Sequence, residues 1–104
     1  MSRTYKPSQN PVVLSKGVTV PNGSYSAVQT IPVGAWKAWA TFDDNVDLLI
    51  RHEQDTDQIE AIDACAGWEL FPAGEAPPLE SAYDVEFQGD GTATKVTVYY
   101  LSAT

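Results

Sequence analysis

Cysteine is nearly absent from this chain. Cys65 is the only one among 104 residues, which excludes an intramolecular disulfide and a cysteine-rich zinc site. Histidine is as scarce, with His52 alone. One Cys–His dyad is therefore arithmetically open. A nucleophilic thiol needs an electropositive setting, however, and Cys65 lies in Ala64-Cys65-Ala66 with Asp63 and Glu69 as its charged neighbours. It reads as a small core hydrophobe. No apolar run approaches the length of about 18 residues that a helical membrane span requires. No apolar stretch follows Met1, so no secretory signal is expected. A phosphate-binding glycine loop, a Gly-x-Ser-x-Gly elbow and a His-Glu-x-x-His pair are all missing. Nothing in the sequence positions a set of catalytic groups, and the chain reads as a non-enzyme with no cofactor.

Positive charge is also scarce. The chain carries 6 Lys and Arg against 14 Asp and Glu, for a net charge of −8. The balance is uneven along the chain. Residues 1–42 hold Arg3, Lys6, Lys16 and Lys37 with no acid, whereas residues 43–104 hold all 14 acids against Arg51 and Lys95. An acidic body repels nucleic-acid phosphate and an anionic membrane surface. The basic N-terminal segment suits an acidic protein surface, its own or a partner's.

What is present is β-sheet grammar. No helical periodicity stands out, and seven Pro and seven Gly punctuate runs of β-branched and aromatic residues. In Tyr83-Asp84-Val85-Glu86-Phe87-Gln88, the alternation puts Tyr83, Val85 and Phe87 on the core and the other three in water. Gly89-Asp90-Gly91-Thr92 is expected to be a hairpin turn, with Lys95 to Leu101 returning as the partner strand. Trp36 to Phe42 reads as a strand, Asp43-Asp44-Asn45 as its turn and Val46 to Arg51 as the return. Val12-Val13-Leu14, Val18-Thr19-Val20, Ser26 to Ile31 and Gly67 to Phe71 complete the set. Gln58 to Cys65 could cap a short helix through Asp57 and Glu60, but extended or loop structure is preferred.

The two halves resemble each other. Val20-Pro21-Asn22-Gly23 matches Phe71-Pro72-Ala73-Gly74, Ala35-Trp36 matches Ala82-Tyr83, and Asp43 matches Asp90. The expected fold is all-β: an antiparallel β-sandwich, jelly-roll-like, of about eight strands in two weakly similar halves. Residues 1–11 are expected to form an extended N-terminal arm, and residues 12–104 a single β-sandwich domain.

Few residues offer chemistry. Glu53, Asp55, Asp57, Glu60 and Asp63 supply oxygen ligands of the kind Ca²⁺ takes. They lack the glycine and terminal glutamate of the twelve-residue calcium loop, and a solvated acidic loop is the better reading. Paired carboxylates also suggest glycoside hydrolysis, but so short a chain has no evident deep cleft for it. Trp36, Trp39 and Trp68 could form a sugar-stacking platform. Trp36 and Trp39 fall on opposite faces of one strand, so one is expected in the core and the other exposed or in an interface. Two of the three tryptophans are expected in the core. Asn22-Gly23-Ser24 matches a glycosylation acceptor but reads as a turn.

Phe71-Pro72-Ala73-Gly74-Glu75, the alternating strand to Phe87, then Gly89-Asp90-Gly91-Thr92 and Val96 to Tyr100, together resemble small virion proteins of tailed bacteriophages, several of which are capsid decoration (cement) proteins. The resemblance covers about a third of the chain. It implies a β-sandwich or jelly roll on the capsid exterior of the virion, often a homotrimer, bound to the major capsid protein and stabilising the head. Such a protein would be made in the cytoplasm of the bacterial host. Three Trp, five Tyr and three Phe exceed what a small sandwich core holds, and surplus aromatics mark interfaces, which supports self-association. The residues expected at such an interface are Arg3, Tyr5 and Lys6 on the arm, and Trp39. The alternatives are a carbohydrate- or receptor-binding β-sandwich of a phage fibre and a small tail or connector protein.

Overall fold

A computed structural model describes residues 11–70 and 78–102. Among them are six strands and no helix: β1 (Val12–Val20), β2 (Gln29–Ile31), β3 (Ala35–His52), β4 (Ile59–Glu69), β5 (Tyr83–Gly89) and β6 (Thr94–Ser102). All pairings between the strands are antiparallel. The all-β antiparallel class is as expected, with six strands in place of about eight.

The long strand β3 organises everything else. One of its edges is taken by β4. Its other edge is shared: β6 pairs Ala35 to Phe42, and β5 pairs Leu48 to His52. β1 lies outside β6, and β2 outside β5. The sheet folds over at the middle of β3, and its two halves face each other across the core. On the far side Ser15 on β1 donates to the Gln29 side-chain carbonyl on β2. The result is a flattened, nearly closed barrel.

The expected hairpin at Asp43–Asn45 is not a turn. Those residues lie inside β3, exposed at its bend, where the register with β4 shifts between Thr41 and Val46 and again between Val46 and Leu48. Inward alternation carries straight through, with Ala38, Ala40, Phe42, Val46, Leu48 and Ile50 all buried. The reversal comes at residues 53–58 instead. There Glu53 and Gln54 take positive φ, and the His52 N–H donates to the Gln58 carbonyl at 3.1 Å.

β5 and β6 likewise do not form a hairpin. They lie end to end along β3, and residues 90–93 carry the chain across the bend. This link is clamped on two sides. The Gly89 N–H donates to Pro21 O at 2.8 Å, and the Asp90 N–H donates to Asp47 O at 2.9 Å. A Cβ on Gly89 would sit 2.1 Å from the Thr92 carbonyl oxygen, so only glycine fits. The matched Asp43 and Asp90 therefore mark one feature: polar, turn-forming residues where the paired strands fold over together. They do not head two equivalent hairpins.

Smaller expectations resolve around this frame. The two N-terminal strands are one strand, β1, with a bulge near Gly17 at φ 63°. Gln58 to Cys65 is extended and continues into Gly67 as β4. The strand expected from Ser26 shrinks to β2. The Pro21-Asn22-Gly23 turn is present, with Gly23 at φ 81° and the Asn22 side chain accepting the Gly91 N–H at 2.8 Å.

The core is aliphatic. Val20, Ile31, Ile50, Val85, Val96 and Val98 are fully buried, and Phe42 packs edge-on to Phe87 with ring centroids 5.6 Å apart. Those are the only aromatic residues of the buried class among the described residues. None of the three tryptophans belongs to it, against the expectation of two. Ala38 and Ala40 occupy the inward positions flanking Trp39, so alternation turns its indole outward.

Candidate binding surface

Alternation on β3 turns Lys37, Trp39 and Thr41 outward between the buried Ala38, Ala40 and Phe42. Register then assembles a row across the sheet. Trp39 stands opposite Tyr99 on β6 and Glu69 on β4, and Tyr99 stands opposite Val13 on β1. The Trp39 and Tyr99 rings stack at 5.5 Å and 14°, an arrangement worth about 0.5–1.5 kcal/mol beyond its burial. Lys37 Nζ lies 3.5 Å from Glu69 Oε1 and 5.6 Å from the Trp39 ring centre. Beside the stack, a shallow groove of about 650 Å³ is lined by Lys37, Trp39, Thr41, Gly67, Trp68 and Glu69. Gly67 has no side chain to fill it. Trp68 stands opposite the inward Ala40, so its side chain leaves the other face of β4, where it is 38% exposed; among the described residues β4 pairs only with β3.

On this face the row ends in Val13, while Val12 belongs to the opposite face. Val12, Val13 (49% exposed) and Val33 (61% exposed) are large hydrophobic residues open to solvent. Val12 pairs with Tyr100, where β1 begins. Arg3, Tyr5 and Lys6, expected at an interface, lie outside the described residues, and Trp39 is the one member of that set that the structure places.

The outer face of the other half of the sheet is closed. Arg51 donates to both carboxylate oxygens of Glu86, Nε at 3.2 Å and Nη2 at 2.9 Å, and its guanidinium sits 4.0 Å from the Tyr25 ring centre. The hydrogen bond to Glu86 holds the Arg51 pKa above its ordinary value. Glu86, expected in water, is only 6% exposed. The in–out assignment on β5 is correct, since Val85 and Phe87 are fully buried. Its outer face is nonetheless covered.

The other candidates come apart. Cys65 pairs with Val46 and His52 with Val85. Six residues of strand between Val46 and His52 separate the two by about 20 Å. Burial pushes the Cys65 thiol up, and its S–H donates to the Gly67 carbonyl at 3.3 Å. His52 is buried instead beside Tyr83, with Nε2 3.3 Å from Glu60 Oε1. In the acidic loop, the Asp55 carboxylate accepts from the Asp57 N–H and the Gln58 amide, so it shapes the turn. Among the described residues no three His, Cys, Asp or Glu gather as a metal site.

Sequence reading found Trp39 and missed Tyr99, Lys37, Glu69 and the Gly67 gap. The signal for the first two was present: Lys37-x-Trp39-x-Thr41 between alanines, facing Thr97-x-Tyr99. Glu69 and Gly67 depend on the β4 register, which two bulges displace.

No family model, no curated protein and no solved structure matches this chain. Its function is read from the geometry.

Proposed function

We propose that this chain is a non-enzymatic structural protein of a bacteriophage virion, a capsid decoration protein that attaches to the outer surface of the head and stabilises it. One observation carries the reading. Of the nine described aromatic side chains Phe42 and Phe87 are in the core, Tyr83 and Tyr100 pack against it, and the other five are half-buried or exposed. Half-exposed Trp and Tyr add little to the stability of a small domain, and such residues dominate binding energy when a partner buries them. The attachment surface is the outer row of Trp39, Tyr99 and Val13, together with the N-terminal arm. Arg3 and Lys6 pair with carboxylates of the partner, and Tyr5 anchors. The partner is the major capsid protein, and the bound form is a homotrimer. The clamped link at Gly89 and the nearly closed barrel suit a part that must hold its shape on a shell.

The test adds purified protein to heads lacking it and images them by electron microscopy. The full chain is expected to decorate the shell as threefold-symmetric features. A chain lacking Met1 to Asn10 is expected to unfold at nearly the same temperature and to bind far more weakly. Heads left bare by the full chain, with density at the tail or fibre instead, would overturn the reading in favour of a tail or fibre component.

A further inference from the structure

The fold leaves one long strand edge uncovered. Among the described residues β4 pairs only with β3, whereas β1 and β2, the ends of the other path, are bridged by Ser15 and Gln29. One hydrogen bond fixes which backbone groups of β4 turn outward. The His52 N–H donates to the Gln58 carbonyl at 3.1 Å, so that pair bonds across the strands. An antiparallel ladder alternates bonded and non-bonded pairs. In the register Arg51–Ile59, Ile50–Glu60 and Leu49–Ala61, the members of β4 that do not bond to β3 are therefore Ile59 and Ala61. Their N–H and C=O groups point away from β3. We propose that this edge, from Ile59 to Asp63, takes up an extended, basic segment of a partner protein as an added strand. This goes beyond the decoration reading and does not depend on it.

Exposed edges are ordinarily blunted by Lys, by Pro or by a covering loop. β4 contains no Lys, Arg or Pro. Ala61, Ala64 and Ala66 keep its exposed positions small, so another backbone can approach to the usual strand spacing of about 4.8 Å. One protective device is present, a bulge at Ala64 with φ 49°, and it ends the usable stretch at Asp63.

Charge names the occupant. Residues 53–69 hold six acids and no Lys or Arg. The Asp55 carboxylate shapes its own turn, and Glu60 lies beside His52. Glu53, Asp57 and Asp63 are exposed, and among the described residues no cation is paired with them. A second copy of β4 laid on this edge would set acids against acids, and like charges across strands destabilise. The basic arm of this chain leads into β1, which β6 and β3 separate from β4 and which pairs on the other half of the folded sheet. A foreign strand with Lys or Arg at its ends and β-branched residues between them satisfies both the free backbone groups and the carboxylates. Its main-chain bonds supply affinity, and its charge selects the partner and speeds encounter.

The experiment adds the peptide acetyl-Lys-Thr-Val-Lys-Val-Thr-Lys-amide to the full-length protein, at up to about 2 mM so that a submillimolar Kd is readable. Amide shifts and hydrogen exchange are followed by NMR. The peptide is expected to shift the amides of residues 59–63 and to slow exchange at Ile59 and Ala61 at least tenfold. The same peptide methylated at every backbone nitrogen keeps its side chains and charge, and is expected to bind at least tenfold more weakly; this comparison needs no variant. Ala61→Pro removes an outward N–H that β3 does not use, a change an edge strand tolerates. It is expected to abolish the slowing with the melting temperature held. Asp63→Lys is expected to weaken binding several-fold. Equal binding of the two peptides would reduce the contact to charge alone and overturn the proposal. So would the absence of any shift at 2 mM. Slow exchange at Ile59 and Ala61 in the free protein, lost on dilution or on deleting Met1 to Asn10, would give the edge to a second copy or to the arm and overturn it equally. No capsid enters these measurements, so failure here and failure of the decoration reading are separate results.

Discussion

On one half of the folded sheet Arg51 is gripped by Glu86 and capped by Tyr25. On the other, Lys37 meets Glu69 beside Trp39 in the open. Each face pairs a base with an acid across neighbouring strands and sets an aromatic ring beside the base. The first set is closed on itself: two charge-assisted hydrogen bonds at 3.2 and 2.9 Å, a ring at 4.0 Å, and a carboxylate 6% exposed. In the second, the pair is solvated, and the Trp39 and Tyr99 rings beside it stack on each other half in water. The difference teaches that the same kind of pair is sealed where a distant loop covers it and left in water where none does. Tyr25 is the cause. The loop after the Pro21-Asn22-Gly23 turn, tied down by the Ser26 N–H to Phe87 O at 2.7 Å, lays that ring over Arg51.

The comparison can be broken hardest from beneath. Val85 is fully buried next to Glu86 on β5, so Val85→Asp places a carboxylate in the shared core. The expected loss is roughly 3 kcal/mol or more, read as a collapse of the urea midpoint. Glu86→Gln tests the closed face itself. The amide offers Arg51 one acceptor in place of two charged ones, and the expected loss is about 1–2 kcal/mol. A silent Glu86→Gln would mean that the cover over this face adds nothing to stability, and the contrast between the faces would reduce to geometry.

Alternation made the inside of the molecule legible. Val85 and Phe87, and Leu48 and Ile50, fall where their sequence pattern puts them. Connectivity was not legible, for a physical reason. Asp43-Asp44-Asn45 and Gly89-Asp90-Gly91 carry turn chemistry, but a sharp fold across a strand pair needs the same polar, small or positive-φ residues as a hairpin. Only the clamp from Asp47 to Asp90 tells them apart, and it is a long-range contact. The closed face was invisible for a related reason. Glu86 on an alternating strand looks solvated until Tyr25, 61 residues earlier, is placed over its partner. Of the binding surface, Trp39 was legible because tryptophan between two inward alanines has to face out. Tyr5, Arg3 and Lys6 fall outside the described residues.

Trp68→Ala sharpens the comparison from the strand that borders the open face. The ring lies on β4 opposite the inward Ala40 and is 38% exposed. Its removal is expected to cost about 1 kcal/mol or less, below Glu86→Gln, although it deletes a far larger side chain. Equal or larger destabilisation would show that the indole serves the fold as much as the sealed Arg51–Glu86 pair does.

The smallest effect is expected where the two faces are most alike on paper, at their ion pairs. Glu69→Gln removes the partner of Lys37 just as Glu86→Gln removes that of Arg51. An exposed pair gains little in high dielectric and fixes two long side chains, so the change in stability is expected to stay within about 0.5 kcal/mol. Salt separates the two cases further. Near 1 M the screening length falls to about 3 Å, and whatever Glu69 contributes should vanish, leaving the variant and the natural chain with one urea midpoint. The Glu86 difference should persist, because a carboxylate sealed under Arg51 and Tyr25 is screened much less and its hydrogen bonds are not screened at all. Two variants with the same midpoint shift and the same salt response would mean that the closed and open faces are energetically one surface, and that the Lys37–Glu69 pair is part of the fold and not the rim of a site.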